Sequence, residues 1–292
     1  YTQIDDEIRG QSGLWQSEYH DAMIEFDQQV GEILDKLDEL GVADNTIVVF
    51  STDNGPHRNT LPDAGTTWFR SEKNTNWEGA FRVPLLLRWP GMVEPNSVSN
   101  EIVGSHDFLP TLVRAAGEPD VVEKLKSGYE ANGKTYKVHI DGYDLTPYLS
   151  GETEEHSRPG FLYFSDDGDI LAMRYHNWKI VFMEQETKGT LYLWMHPFTT
   201  LRTPKVFNLR TDPFEYADIT SNTYYDSILR REYLFVPAQT LVGDFLKTFE
   251  EFPPRQKAAS FSLSDVLDKL QTSGRSNCCH PPPRPRRRHA ST

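Results

Sequence analysis

Asp53 and Asn54, followed at once by Gly55, set two hard oxygen donors on adjacent residues with a glycine behind them to turn the chain away. Such a pair suits a Ca²⁺ or Mg²⁺ ion, which is held by carboxylate and amide oxygens. Asp-Asn-Gly is also ordinary turn chemistry, and on these residues alone the turn is the simpler reading. His57 comes a few residues later, where an imidazole could protonate a departing alkoxide or merely sit on a loop rim. Lys73, in the polar stretch SEKNTNWEG, is a local cation in an acidic chain; taken alone it reads as a solvated loop lysine.

The elements around these residues explain why they would be presented together. Met23, Phe26, Val30, Ile33, Leu37 and Leu40 recur at spacings of three and four, so residues 18–40 read as an amphipathic helix with Gly41 in the C′ place. The run Thr46, Ile47, Val48, Val49 and Phe50 follows a short turn and reads as a strand buried on both faces, as in a parallel sheet. In open α/β sheets ligands gather where strands end, and Asp53 and Asn54 stand at such an end. A second strand is expected over 83–89, closed by Pro90 and Gly91, and a short helix from 105 to Gly117. Segments 161–164, 170–175 and 178–183, separated by short turns, read as an antiparallel meander, followed by a helix over 236–250.

The chain has 292 residues with 37% hydrophobic content, enough for one large domain or two smaller ones. Its formal charge is -13. Five of the 30 lysines and arginines fall after residue 273, where there are no acids, so the remainder sets 25 basic against 43 acidic side chains. Such a body repels nucleic acid and anionic membrane, and an anionic substrate would need a local cation or a metal. No stretch approaches the twenty or so apolar residues of a membrane span, and the first residues lack the pattern of a signal peptide. The only cysteines, Cys278 and Cys279, lie in the terminal segment SNCCHPPPRPRRRHAST, whose composition predicts disorder.

Extended, the opening stretch reads TDNGPHRNTLPDAGTTWFRSEKNTNWEGAFRVPLLLRWPG, and SHDFLPTLVRAAG, DGYDL and KVFNLRTDPFEYAD follow in order. This resembles the sulfatase family, specifically bacterial arylsulfatases. The resemblance implies an alkaline-phosphatase-like α/β fold. Residues 1–150 would belong to a mostly parallel mixed sheet flanked by helices, 151–273 to a smaller antiparallel α+β subdomain, and 274–292 to a disordered basic tail. It further implies that Asp53 and Asn54 ligate a divalent cation, usually Ca²⁺ with Mg²⁺ as the alternative. Lys73 would contact the sulfate as substrate-binding and catalytic residue, with His57 at the pocket rim. Glu78 reads as a structural anchor for the loop, and Ala80 stands where the family has a second glycine. The implied substrate is a small sulfate ester, an aryl one if Trp68, Phe69 and Trp77 form an aromatic wall. His106 reads as structural, and His20 as lying on the polar side of its helix. A periplasmic or secreted location is implied, with a cytoplasmic one as the alternative.

Sulfatases attack sulfur with a formylglycine made from the cysteine or serine of Cys/Ser-x-Pro-x-Arg. Here the near miss at Cys279 places its arginine one residue late, behind a triple proline that prevents a helix. The expectation is therefore a carboxy-terminal portion whose nucleophile and further metal ligands lie upstream, and which alone is inactive. The rival readings are a phosphomonoester or phosphonate hydrolase on the same fold, and a non-catalytic binding or scaffold module.

Overall fold

A computed structural model describes residues 17–58, 66–156, 158–185, 191–255 and 257–260; the basic segment 274–292 lies outside them. In chain order the elements are α1 (Glu18–Glu39), β1 (Val48–Ser51), α2 (Glu78–Phe81), β2 (Leu85–Arg88), α3 (Phe108–Ala115) and α4 (Val121–Ser127). A hairpin, β3 (Tyr129–Ala131) and β4 (Lys134–Tyr136), and the short α5 (Thr146–Leu149) come next. Then follow β5 (Phe161–Phe164), β6 (Ile170–Tyr175), β7 (Trp178–Glu184), α6 (Tyr192–Met195), β8 (Thr199–Asn208), α7 (Ala217–Thr220), α8 (Tyr224–Leu229) and α9 (Phe235–Glu251).

α1 closes as its sequence dictates. Gly41, at φ 67°, donates to the carbonyl of Asp38, and Val42 donates to that of Leu37. One turn later the chain enters β1, and the Phe26 ring of α1 packs against Phe50 of β1 at 5.8 Å. β1 pairs with β2, Val48 opposite Arg88 and Ser51 opposite Leu85.

That pairing is antiparallel, as is every strand pairing among the described residues, so the mostly parallel sheet expected from the sequence is not seen in them. Among its described residues the segment joining β1 to β2 holds only the one-turn α2, too little for a crossover helix, and β2 runs back alongside β1. Nor are these strands buried on both faces among the described residues, since Leu86 is 65% exposed. An apolar run identifies a strand; it does not fix the direction of its neighbour.

The meander is as expected, with one strand added. β5, β6, β7 and β8 form a four-stranded sheet in that order. Leu171, Ala172 and Met173 of β6 are consecutive and all buried, as are Ile180 and Val181 of β7, so both faces of this sheet are covered. Tyr224 and Ile228 of α8, Leu234 just ahead of α9, Ala238 of α9, and Trp77 from the loop before α2 complete the core. Trp77 thus ties the segment bearing Lys73 to the carboxy-terminal sheet. No helix of the described residues is long and apolar enough to cross a membrane.

Candidate functional site

The loop that follows β1 and the loop that carries Lys73 are stitched together through their backbones. Gly55 donates to the carbonyl of Ala80 at 2.7 Å, and Lys73 donates to that of Pro56 at 3.0 Å. Arg58 donates to Oε2 of the buried Glu72 at 2.7 Å. The approach at Gly55 is so close that a Cβ there would lie 1.8 Å from the Gly79 carbonyl oxygen. Gly79 is hemmed in the same way, its own Cβ position lying 2.4 Å from the carbonyl oxygens of Arg70 and Ser71. Neither glycine has positive φ, so both are required for space. Ala80 sits in α2 without positive φ, which is why alanine serves there.

Within the Lys73 loop, Ser71 and Asn74 hold φ of 65° and 69°, left-handed values costly for non-glycine residues. What holds them there lies behind the loop. Asn76 donates to the carbonyl of Met183 in β7 at 2.7 Å. The Trp77 ring meets Phe207 edge-on at 5.8 Å and carries the Arg70 guanidinium 3.6 Å above it. Arg70 in turn donates to the Glu215 carbonyl and to Asp218, and Asp218 also receives Lys205.

The innermost anchor is ionic. Lys179 of β7 lies 3.2 Å from Glu78 and 2.7 Å from Glu215, with all three side chains closed to solvent. Glu215 Oε2 also accepts the backbone N–H of Glu78, and the Tyr163 hydroxyl donates to Glu78 at 2.8 Å. Burial pushes the Glu78 carboxyl upward, but Lys179, the Tyr163 hydrogen bond and Arg174 outweigh it and hold its pKa below the ordinary value. Burial pushes Glu215 up, against the pull of Lys179, and the neighbouring Glu78 charge adds to the rise. Glu78 is thus the structural anchor the sequence suggests. Its partners sit 101 and 137 residues away, beyond any local signal.

Of the residues expected at the site, Lys73 and His57 meet one common neighbour. Trp194, in α6, directs its indole Nε1 toward His57 Nε2 at 3.5 Å and meets the imidazole edge-on, while Lys73 Nζ lies 5.9 Å from the same ring. Asp53 is exposed, and Asn54 donates its amide N–H to the Gly55 carbonyl at 2.9 Å, leaving Oδ1 as its open side-chain acceptor. This polarity fits two ligands of a hard cation. Two are too few for a closed site, and the described residues hold no group of three or more His, Cys, Asp or Glu arranged around an ion.

The expected aromatic wall is corrected in one member. Trp77 is 2% exposed and belongs to the core, and Phe69 packs between Phe214 and the Arg82 guanidinium, whereas Trp68 is exposed. Two further histidines have these surroundings. His106 Nε2 lies 3.0 Å from an Arg158 nitrogen, while the neighbouring Asp107 accepts from the backbone of Gly104 and Tyr143. His20 is exposed on α1, 2.9 Å from the Ser17 hydroxyl.

With this geometry in place, comparison with known proteins agrees. Residues 16–118 match the Sulfatase family model. Rat steryl-sulfatase is 31% identical over 70% of this chain and 37% of its own length. Bovine arylsulfatase A is 27% identical over 90% of this chain and 51% of its own length. A crystal structure of the PsFucS1 sulfatase from Pseudoalteromonas sp. superposes with a TM-score of 0.66 at 29% identity, covering 80% of this chain and 43% of that one. The chain belongs to the sulfatase family. It spans between 24% and 51% of the length of such curated relatives.

Proposed function

We propose that the whole protein to which these residues contribute hydrolyses sulfate monoesters, with Lys73 as the cation that receives the ester. As the S–O bond breaks, charge grows on the bridging oxygen, and an ammonium fixed beside it stabilises the transition state more than the bound ester. The clamp between Pro56 and the Lys73 main chain, with the ionic anchor behind the loop, fixes the backbone from which that ammonium projects. His57, beside Trp194, would donate to a departing oxygen at the rim. Asp53 and Asn54 would supply two oxygens to a Ca²⁺ or Mg²⁺ ion, whose chemistry when bound is to polarise the sulfate oxygens. A formylglycine from an upstream segment would provide the nucleophile, so residues 1–292 by themselves form half a site.

The observation carrying this reading is the junction of the Asp53–Asn54 loop to the Lys73 loop through Gly55–Ala80 and Lys73–Pro56 in a chain of the sulfatase family. The test is turnover of 4-nitrophenyl sulfate and the matched phosphate by the protein with its upstream segment. Preference for sulfate is expected. Lys73→Ala should lower kcat by roughly two to three orders of magnitude, the scale of one preorganised donor. A loss under tenfold removes Lys73 from the mechanism, and comparable turnover by residues 1–292 alone overturns the half-site.

A further inference from the structure

We propose that Trp194 is the platform on which the organic part of the substrate, an aryl or comparably flat apolar group, stacks while Lys73 holds the sulfate. The proposal deepens the reading above and rests on Lys73 as the sulfate-binding cation. α6 stands on the connection between β7 and β8, and Trp194 lies 137 residues along the chain from His57, yet its indole reaches both that histidine and Lys73. The indole is not absorbed into the core. Trp194 is 53% exposed, and its neighbours Leu191 and Met195 are more exposed still. Trp77, on the Lys73 loop itself, is by contrast packed away beside the buried Thr75 and Asn76, so the fold has a place for a tryptophan it needs to bury.

An indole left half open, with an anion-binding ammonium 5.9 Å from its centre, offers a flat apolar face that one small ester can touch together with the cation. The ring cannot itself hold the sulfate, because its single donor is already directed at His57.

The test compares 4-nitrophenyl sulfate with methyl sulfate in the protein carrying its upstream segment, wild type against Trp194→Ala and Trp194→Phe. In Trp194→Ala the ratio of kcat/KM for the aryl ester over the methyl ester should fall about tenfold, mainly through KM, as expected for one lost aromatic contact. Trp194→Phe should keep most of the ratio. An unchanged ratio overturns the platform while leaving the sulfatase reading intact. If the wild type cleaves neither ester, that reading falls instead, and calorimetric titration with 2-naphthyl sulfate decides the platform without turnover. Binding about tenfold weaker in Trp194→Ala supports it, and equal binding, or none to the wild type, overturns it.

Discussion

Lys179 Nζ lies 3.2 Å from Glu78 Oε1, and both side chains are closed to solvent. The lysine projects from the carboxy-terminal sheet and the glutamate opens α2, directly behind the loop that presents Lys73. A buried ion pair is weak evidence for net stability, because desolvation offsets most of its attraction, but removing one member leaves the other charge uncompensated.

Lys179→Met should therefore destabilise the fold by about 3–5 kcal/mol, since it strands both Glu78 and Glu215. Urea unfolding of the chain measures this. A loss under about 1 kcal/mol, the range of exposed pairs, would mean that the triad is solvated.

The two carboxylates of the triad should respond oppositely to pH. Glu78 is held below its ordinary value of 4.5, so its contribution is complete above that pH and is lost as pH falls beneath it. Glu215 is raised above 4.5, so the folded state favours its protonated form, and its ionisation weakens the fold as pH rises through the raised value. Glu215→Gln should accordingly cost less than Glu78→Gln, because glutamine can still accept the Glu78 N–H and removes a charge that burial disfavours, whereas Glu78→Gln removes a carboxylate whose ionised form the fold favours. Unfolding free energies of both variants at pH 7 and pH 4 check this, and a larger cost for Glu215→Gln at pH 7 would reverse the assignment.

How much of this is legible in the sequence depends on the range of each interaction. α1 with its Gly41 stop, the helix before Gly117 and the strands β5 to β7 follow from periodicity and turn residues within a few positions, and all are found. β8 escapes such a reading because Thr199–Asn208 carries arginine, proline and lysine and lacks the alternation that marks a half-buried strand. The direction of β1 against β2 is not encoded locally, because an apolar run reports burial and leaves partner orientation open. Of the proposed site, Lys73 and the Asp53–Asn54 pair are visible through their motifs. Trp194 is not, since nothing local to Leu191–Met195 signals that α6 will lie beside His57. Lys179 looks like one polar residue in a strand, and only the fold reveals its two carboxylates.

The last prediction concerns the seam between the two loops. At Gly55 the obstruction is the backbone carbonyl of Gly79, which cannot swing aside as a side chain can. Gly55→Ala must therefore part the loops, lengthening the 2.7 Å bond from Gly55 to Ala80 and shifting the neighbouring bond from Lys73 to Pro56. A cost of about 3 kcal/mol is expected, the upper part of the range for overpacking. Gly31 supplies the control, because it lies inside α1 with nothing within 4 Å of its Cβ position. Gly31→Ala should stabilise by roughly 0.5–1 kcal/mol through helix propensity and the reduced freedom of the unfolded chain. Urea midpoints of the two variants should thus move in opposite directions, and the amide of Lys73 should exchange faster in Gly55→Ala alone. If Gly55→Ala unfolds with the wild type and leaves the Lys73 amide protected, the two loops are not in the contact that joins the Asp53–Asn54 turn to the Lys73 loop.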